Sequence, residues 1–193
     1  MSAGSDPLGD REPDLPDAPP ELPVVVGQGD PDRVRDVADS QVTMTQLMGP
    51  SDANLMGSVF GGVVLAAVDK IAYVCGTRHA GRPCVTASFD QVDFRSPIQV
   101  GDIVTLQASV NTVGRTSLEV GVRVSAESAE GGERRHTNSC YVTMVALGED
   151  RQPFPVPRLR IDSLEAWRRH HDAEERRVAR LELARRRKER RDR

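Results

Sequence analysis

The sequence predicts an α+β fold in which an antiparallel sheet curls around one long helix, and three observations carry that prediction. From Gly61 to about His79 the chain is apolar on most sides and bounded by glycines, at a length that suits a helix rather than a strand. Three later stretches alternate with a period of two. Val104, Leu106, Ala108 and Val110 share one face; Leu118, Val120, Val122, Val124 and Ala126 oppose Glu119, Arg123, Ser125 and Glu127; Cys140, Val142, Met144 and Ala146 oppose Ser139, Tyr141 and Thr143. Gly114-Arg115 and Glu130-Gly131-Gly132 separate these stretches as hairpin turns, so consecutive strands run antiparallel. A long buried helix beside such a meander hides its surface most economically when the sheet wraps it.

The other elements follow in chain order. Residues 1 to about 36 are rich in proline, aspartate and glycine, a composition too poor in apolar surface to offset chain entropy, and are expected to be disordered. Within them Val24 to Gly29 mimics the start of a dinucleotide fingerprint. Asp32 holds the third glycine position, no helical period follows, and nearby acids repel a pyrophosphate, so that reading is set aside. Residues 42 to 48 predict a short strand and residues 83 to 94 a further one. Beyond residue 157, Asp162 and Glu165 stand at capping-box spacing, and Leu164, Trp167, His171, Val178 and Leu181 trace a narrow stripe on a final helix. Glu165 with Arg169, Asp172 with Arg176 and Glu182 with Arg186 give it acid-first pairs four residues apart. The organisation is an acidic tail (1–40), a folded domain (41–157) and an arginine-rich helical extension (158–193).

Charge and cysteine usage narrow the partners. The net charge of -3 hides -7 in residues 1–40, -2 in 41–157 and +6 in 158–193. In the basic end no aromatics interleave with the arginines and acids are interspersed, which argues for a solvated helix rather than nucleic-acid binding. Cys75, Cys84 and Cys140 are odd in number, lack CxxC spacing and sit among apolar residues, as buried thiols of a reducing compartment do. The longest apolar run is broken by Asp69 and Lys70, and no charged-then-apolar leader opens the chain, so no membrane span is expected and the cytoplasm is the expected location. His79, His136, His170 and His171 lack ligand spacing, so no metal is expected.

The chemistry concentrates in Ser51 to Gly62. A polar loop containing Asn54 ends in Phe60-Gly61-Gly62, where the long helix begins, and free N–H groups at a positive helix end suit an oxyanion. Seven residues on, the apolar helix carries one acid, Asp69. This loop with Gly57, Phe60-Gly61-Gly62 and Asp69, followed by Asp93-Phe94, Pro97 and Val100-Gly101-Asp102, resembles the acyl-CoA thioesterases of the hotdog fold over about residues 41–157. The resemblance implies a helix enclosed by a sheet, protomers paired through their sheets into dimers and often into trimers of dimers, acyl-CoA as substrate and no separate cofactor. It places the catalytic acid at Asp69 and a functional asparagine at Asn54.

On that reading the Gly61 and Gly62 N–H groups hold the oxyanion, Asn54 orients water or carbonyl, and Asp69 either deprotonates water or attacks the thioester directly. Gly62 and Asp69 are about 10 Å apart along a helix rising ~1.5 Å per residue, so a complete site is expected to draw on two chains. Gly114-Arg115-Thr116-Ser117 is a hairpin turn whose Arg115, Thr116 and Ser117 also suit a CoA phosphate, as do Arg95 and Ser96. Two other functions compete. A hydratase of the same fold wants a histidine paired with a carboxylate, and a noncatalytic acyl-CoA-binding module would show no turnover at all.

Overall fold

The computed structural model describes residues 20–90 and 92–191. In chain order these form β1 (Val24–Val26), β2 (Asp30–Asp36), a short helix α1 (Val37–Ser40), β3 (Val42–Leu47), the long helix α2 (Gly61–Ala80), β4 (Cys84–Phe89), β5 (Asp102–Val113), β6 (Ser117–Ser128), β7 (Arg135–Ala146), β8 (Pro157–Ile161) and α3 (Leu164–Arg191). The main sheet has the order β3-β5-β6-β7-β4, antiparallel throughout, with the helix α2 on one face. The alternation in the sequence is what fixes this arrangement: Val104, Leu106, Val120, Val122, Val142 and Met144 all point to the α2 side and are at most 2% exposed.

Val64, Ala67, Val68, Ile71, Ala72, Cys75 and Gly76 give α2 a buried stripe at helical spacing. At Gly76 a Cβ would stand 3.1 Å from the Met144 sulfur and 3.3 Å from Leu118 Cδ1, so glycine sets how closely helix and sheet approach. The helix ends at Gly81, whose left-handed backbone (φ 66°) closes a cap onto the Thr77 carbonyl at 2.9 Å. No helix among the described residues is long and apolar enough to cross a membrane.

Three expectations are corrected. Residues 1–19 lie outside the described residues, but residues 20–36, expected to be disordered, are structured: β1 and β2 flank β8 in a three-stranded sheet, antiparallel and parallel respectively. The Val24–Gly29 glycines are packing devices. Side chains at Gly27 and Gly29 would collide with Val113 and with the Val156 carbonyl. The strand expected over 83–94 stops at Phe89, with a bulge between Thr86 and Ser88.

The third correction concerns α3. Ser163 rather than Asp162 caps it, its Oγ accepting the Ala166 N–H at 3.3 Å. Only part of the apolar stripe docks: Trp167 packs against the core, whereas Val178 and Leu181 are more than 60% exposed, and Ala166 and Ala173 are buried instead. Small residues let the helix lie close to the outer face of the sheet, and arginines make the rest of the contact. Arg176 and Arg180 converge on Glu119, which is 2% exposed, at 2.7 and 3.2 Å. Arg180 also reaches Asp90 at 2.6 Å, and the Arg176 guanidinium lies 3.6 Å over the Tyr141 ring. Removing Glu119 leaves Arg176 without its carboxylate, while Arg180 keeps Asp90. Glu119→Ala is therefore expected to cost about 3 kcal/mol in urea unfolding, at the low end for a broken buried pair because both arginine heads reach solvent.

His79 joins α2 to β8: its Nε2–H donates to the Pro157 carbonyl at 3.1 Å, while Nδ1 is buried without a partner. Burial holds this ring below its ordinary pKa of 6.5, and Arg35 and Arg33 push the same way against the Pro157 bond. The unfolded chain takes up the proton before the folded one does. Stability from the neutral ring is thus complete above pH 6.5 and is lost as pH falls below it. The melting temperature is expected to drop between about pH 7.5 and 5.5, and less steeply in His79→Gln. Some slope should remain, because His136 and His170 are also depressed, chiefly by burial.

Candidate active site

The loop before α2 is built by its own short-range bonds. A 3-10 turn over Pro50–Asp52 is closed by Asp52, whose carboxylate accepts the Gly49 N–H at 2.8 Å. The Asn54 Oδ1 accepts from the Met56 N–H at 2.8 Å and its Nδ2 donates to Ser58 Oγ at 2.9 Å. Val59 N–H bonds the Ile98 carbonyl at 2.8 Å, anchoring the loop beside the strand region that leads into β5. At its tip Leu55 and Met56 are fully exposed.

Gly61 and Gly62 are the first two residues of α2, where N–H groups have no intrahelical acceptor. Aromatic rings occupy the space their side chains would need. A Cβ at Gly61 would lie 3.3 Å from the Phe94 ring, and one at Gly62 2.4 Å from the Phe60 ring.

Asp69 is half-buried on the side of α2 that faces β4. Its Oδ1 accepts a 2.5 Å hydrogen bond from the Thr86 hydroxyl on that edge strand. The two flank an open cleft of about 510 Å³ shared with Lys70, Tyr73, Val74, Cys84 and Val85. Thr86 was not singled out in the sequence; the available signal was a hydroxyl residue on the strand following the helix. The Cys84 thiol at the cleft is pushed up to about 11 by burial, and Cys75 to about 12 for the same reason, so neither is a thiolate near neutrality.

Within one chain the other predicted residues are separated. Arg95 and Ser96 follow Phe94 near the helix start, with the Arg95 N–H on the Thr137 carbonyl at 2.9 Å. Arg115, Thr116 and Ser117 form the hairpin between β5 and β6 at the far end of the sheet, closed by Gly114 N–H to the Ser117 carbonyl at 2.8 Å. Between them β6 runs from Ser117 to Val124, the partner of Asn138, about 23 Å at ~3.3 Å per residue. The hairpin lies instead towards the Asp69 end, because Ser117 pairs with Val145 and Val145 with Val85. His79 bonds a carbonyl and His136 bonds Ser139 Oγ at 2.9 Å, so neither meets the carboxylate that a hydratase would need.

Comparison with known proteins decides the family. A family model described as the thioesterase superfamily matches residues 56–132. Protein VdlD of Helicobacter pylori is 46% identical over 124 residues, covering 64% of this chain and 71% of that one. The uncharacterized acyl-CoA thioester hydrolase YkhA of Bacillus subtilis is 38% identical over 138 residues, covering 72% and 80%. The chain belongs to the hotdog acyl-CoA thioesterase family.

Solved structures of this family superpose closely. An apo-hexameric acyl-CoA thioesterase has a TM-score of 0.76 at 40% identity, covering 79% of this chain and 97% of that one. The acyl-CoA hydrolase of Staphylococcus aureus, solved with butyryl coenzyme A and coenzyme A, has a TM-score of 0.73 at 32% identity, covering 81% and 97%. Alanine variants of the same hydrolase replace an aspartate, an asparagine 15 positions before it and a threonine 17 positions after it.

Proposed function

We propose that this chain hydrolyses acyl-CoA thioesters to the free acid and CoA, with Asp69 as the carboxylate that activates water. The observation that carries this reading is the Asp69–Thr86 hydrogen bond at the mouth of an open cleft. Asn54, Asp69 and Thr86 also have the spacing of the three residues replaced in the Staphylococcus aureus hydrolase. Thr86 fixes one carboxylate oxygen and leaves the other to take the proton of water. The hydroxide adds to the thioester carbonyl carbon, the oxyanion rests on the N–H groups of Gly61 and Gly62, and the C–S bond then breaks. A thiolate of pKa near ~8.5 departs without strong acid assistance. No cofactor beyond the substrate's own CoA enters this scheme.

The oxyanion donors and Asp69 come from two subunits. Tyr73, Val74, Val85 and Phe89 are exposed around Asp69, and Leu55, Met56 and Phe60 around the loop. A two-fold contact between protomers covers both patches and sets the loop of one chain opposite Asp69 of its partner. Arg95 and Ser96 from one chain and the Arg115–Ser117 hairpin from the other then receive CoA phosphates. We place this dimer in a hexamer, as a trimer of dimers, on the similarity to a hexameric thioesterase. The three unpaired cysteines agree with a cytoplasmic location.

Thiol release from acyl-CoAs of graded chain length tests the activity, and its absence with every substrate would sink the proposal. Asp69→Asn is expected to lower kcat by roughly a hundredfold or more while CoA still binds. Thr86→Val should lower kcat about tenfold at unchanged KM, and Thr86→Ser should restore it, as expected of a positioning hydroxyl. Subunit sharing has its own check. Mixed dimers of Asn54→Ala and Asp69→Ala chains should regain one working site of two, whereas no recovery means that each chain acts alone.

A further inference from the structure

The outer face of the sheet carries a second concave feature, separated from Asp69 by the sheet itself. Between the first half of α3 and strands β5 to β7 lies a polar cleft of about 370 Å³, a volume typical of small-molecule sites. Strand register builds its floor. Gln107, Arg123 and Ser139 form one row across three strands, and Ser109, Gly121 and Tyr141 form the next. Arg168, Arg169, Asp172 and Arg176, on one side of α3, form the facing wall.

Charge says what such a cleft holds. Its lining has four guanidinium groups against the carboxylates of Glu165 and Asp172. Those acids are already engaged, Asp172 with Arg168 and Glu165 with Arg169, each at 3.1 Å, and Arg176 is held by Glu119. Arg123 is exposed and has no ion-pair partner among the described residues. Its field is felt nearby: after burial, it is the next cause holding His136 below the ordinary range.

A second, independent feature lies on the same floor. Asn111 is 2% exposed, its Nδ2 donates to Glu119 at 3.4 Å, and its Oδ1 is buried without a donor. The amide lies over Gly121, where a Cβ would come within 2.5 Å of Nδ2 and 3.1 Å of Oδ1. Glycine in mid-strand thus makes room for an acceptor that this chain leaves unsatisfied. Buried acceptors are rarely left so without a ligand or water to meet them.

We propose that this cleft binds a small phosphate ester bearing hydrogen-bond donors, with its phosphate on Arg123 and the α3 arginines and a hydroxyl or N–H group on Asn111 Oδ1. Guanidinium forks match phosphate oxygens in pairs, and Asn111 distinguishes an ester with donors from a bare anion. Bound there, the ligand joins α3 to the sheet. Sugar phosphates and nucleotides share this chemistry, so ribose 5-phosphate and adenosine 5′-monophosphate serve as separate probes, with inorganic phosphate as the third.

Calorimetric titration of the full chain provides the test. At least one ester is expected to bind roughly tenfold or more tightly than inorganic phosphate, and Arg123→Gln to weaken it by about tenfold or more. Because Arg123 is exposed, that variant should keep its melting temperature, and Arg168→Gln should weaken the same ester. Arg115→Gln, altering the hairpin assigned to CoA, should leave ester binding unchanged. The proposal is overturned if neither ester binds, if inorganic phosphate binds as tightly as both, or if binding survives Arg123→Gln and is lost in Arg115→Gln.

Discussion

A single five-stranded sheet covers one side of a twenty-residue helix, and the functional geometry of this protein depends on that limit. The stripe from Val64 to Gly76 is spent on Leu118, Met144 and their neighbours, so the opposite side of α2 stays open with Tyr73 and Val74 exposed. Burying a large apolar side chain is worth about 1.5–3 kcal/mol, so several of them left in water favour a second protein surface. Asp69 stands at the border between the two sides. It is close enough to β4 to be held by Thr86, yet not enclosed by its own chain. The carboxylate owes its position to the packed stripe and its access to the open one.

The outer face of the same sheet is covered by different means. Alternation along β5, β6 and β7 places Thr112, Glu119 and Tyr141 outward, so the element that covers them must offer ion pairs and hydrogen bonds rather than aliphatic bulk. α3 does so with Arg176, Arg180 and Glu174, the last accepting from Thr112 Oγ1 at 2.6 Å. Arginine heads are wide and keep the helix off the strands where no residue as small as Ala173 intervenes. The polar cleft beside Gly121 is a consequence of that mode of contact.

What was legible in the sequence is what local pattern determines. The long helix was visible from its apolar run and bounding glycines, and β5, β6 and β7 from their period of two. The strands β1 and β2 were not. β2 is charged along Asp30–Asp36, and its partner β8 lies more than 120 residues away, so its pairing is decided by tertiary structure that no window contains. The docking face of α3 was only partly visible for a related reason: hydrophobic periodicity finds apolar contacts such as that of Trp167, and the rest of this contact is ionic. Asp69 drew attention as the lone acid on an apolar helix, whereas Thr86 is an ordinary strand residue until register and the adjacent bulge turn it towards the carboxylate.

The local bonds of Asn54 limit what it can contribute to the proposed shared site. The Met56 N–H is a donor, so the amide oxygen, not the nitrogen, must face it, and the orientation of the side chain follows without ambiguity. That oxygen already accepts one bond, and one of the two amide hydrogens is spent on Ser58 Oγ. What remains is one N–H donor, with the second lone pair of the oxygen still open. Asp69 offers the reverse: one oxygen satisfied by Thr86 and one free to accept. An acceptor from one chain and a donor from the other can bracket a water molecule and a carbonyl oxygen with the right polarity at each end.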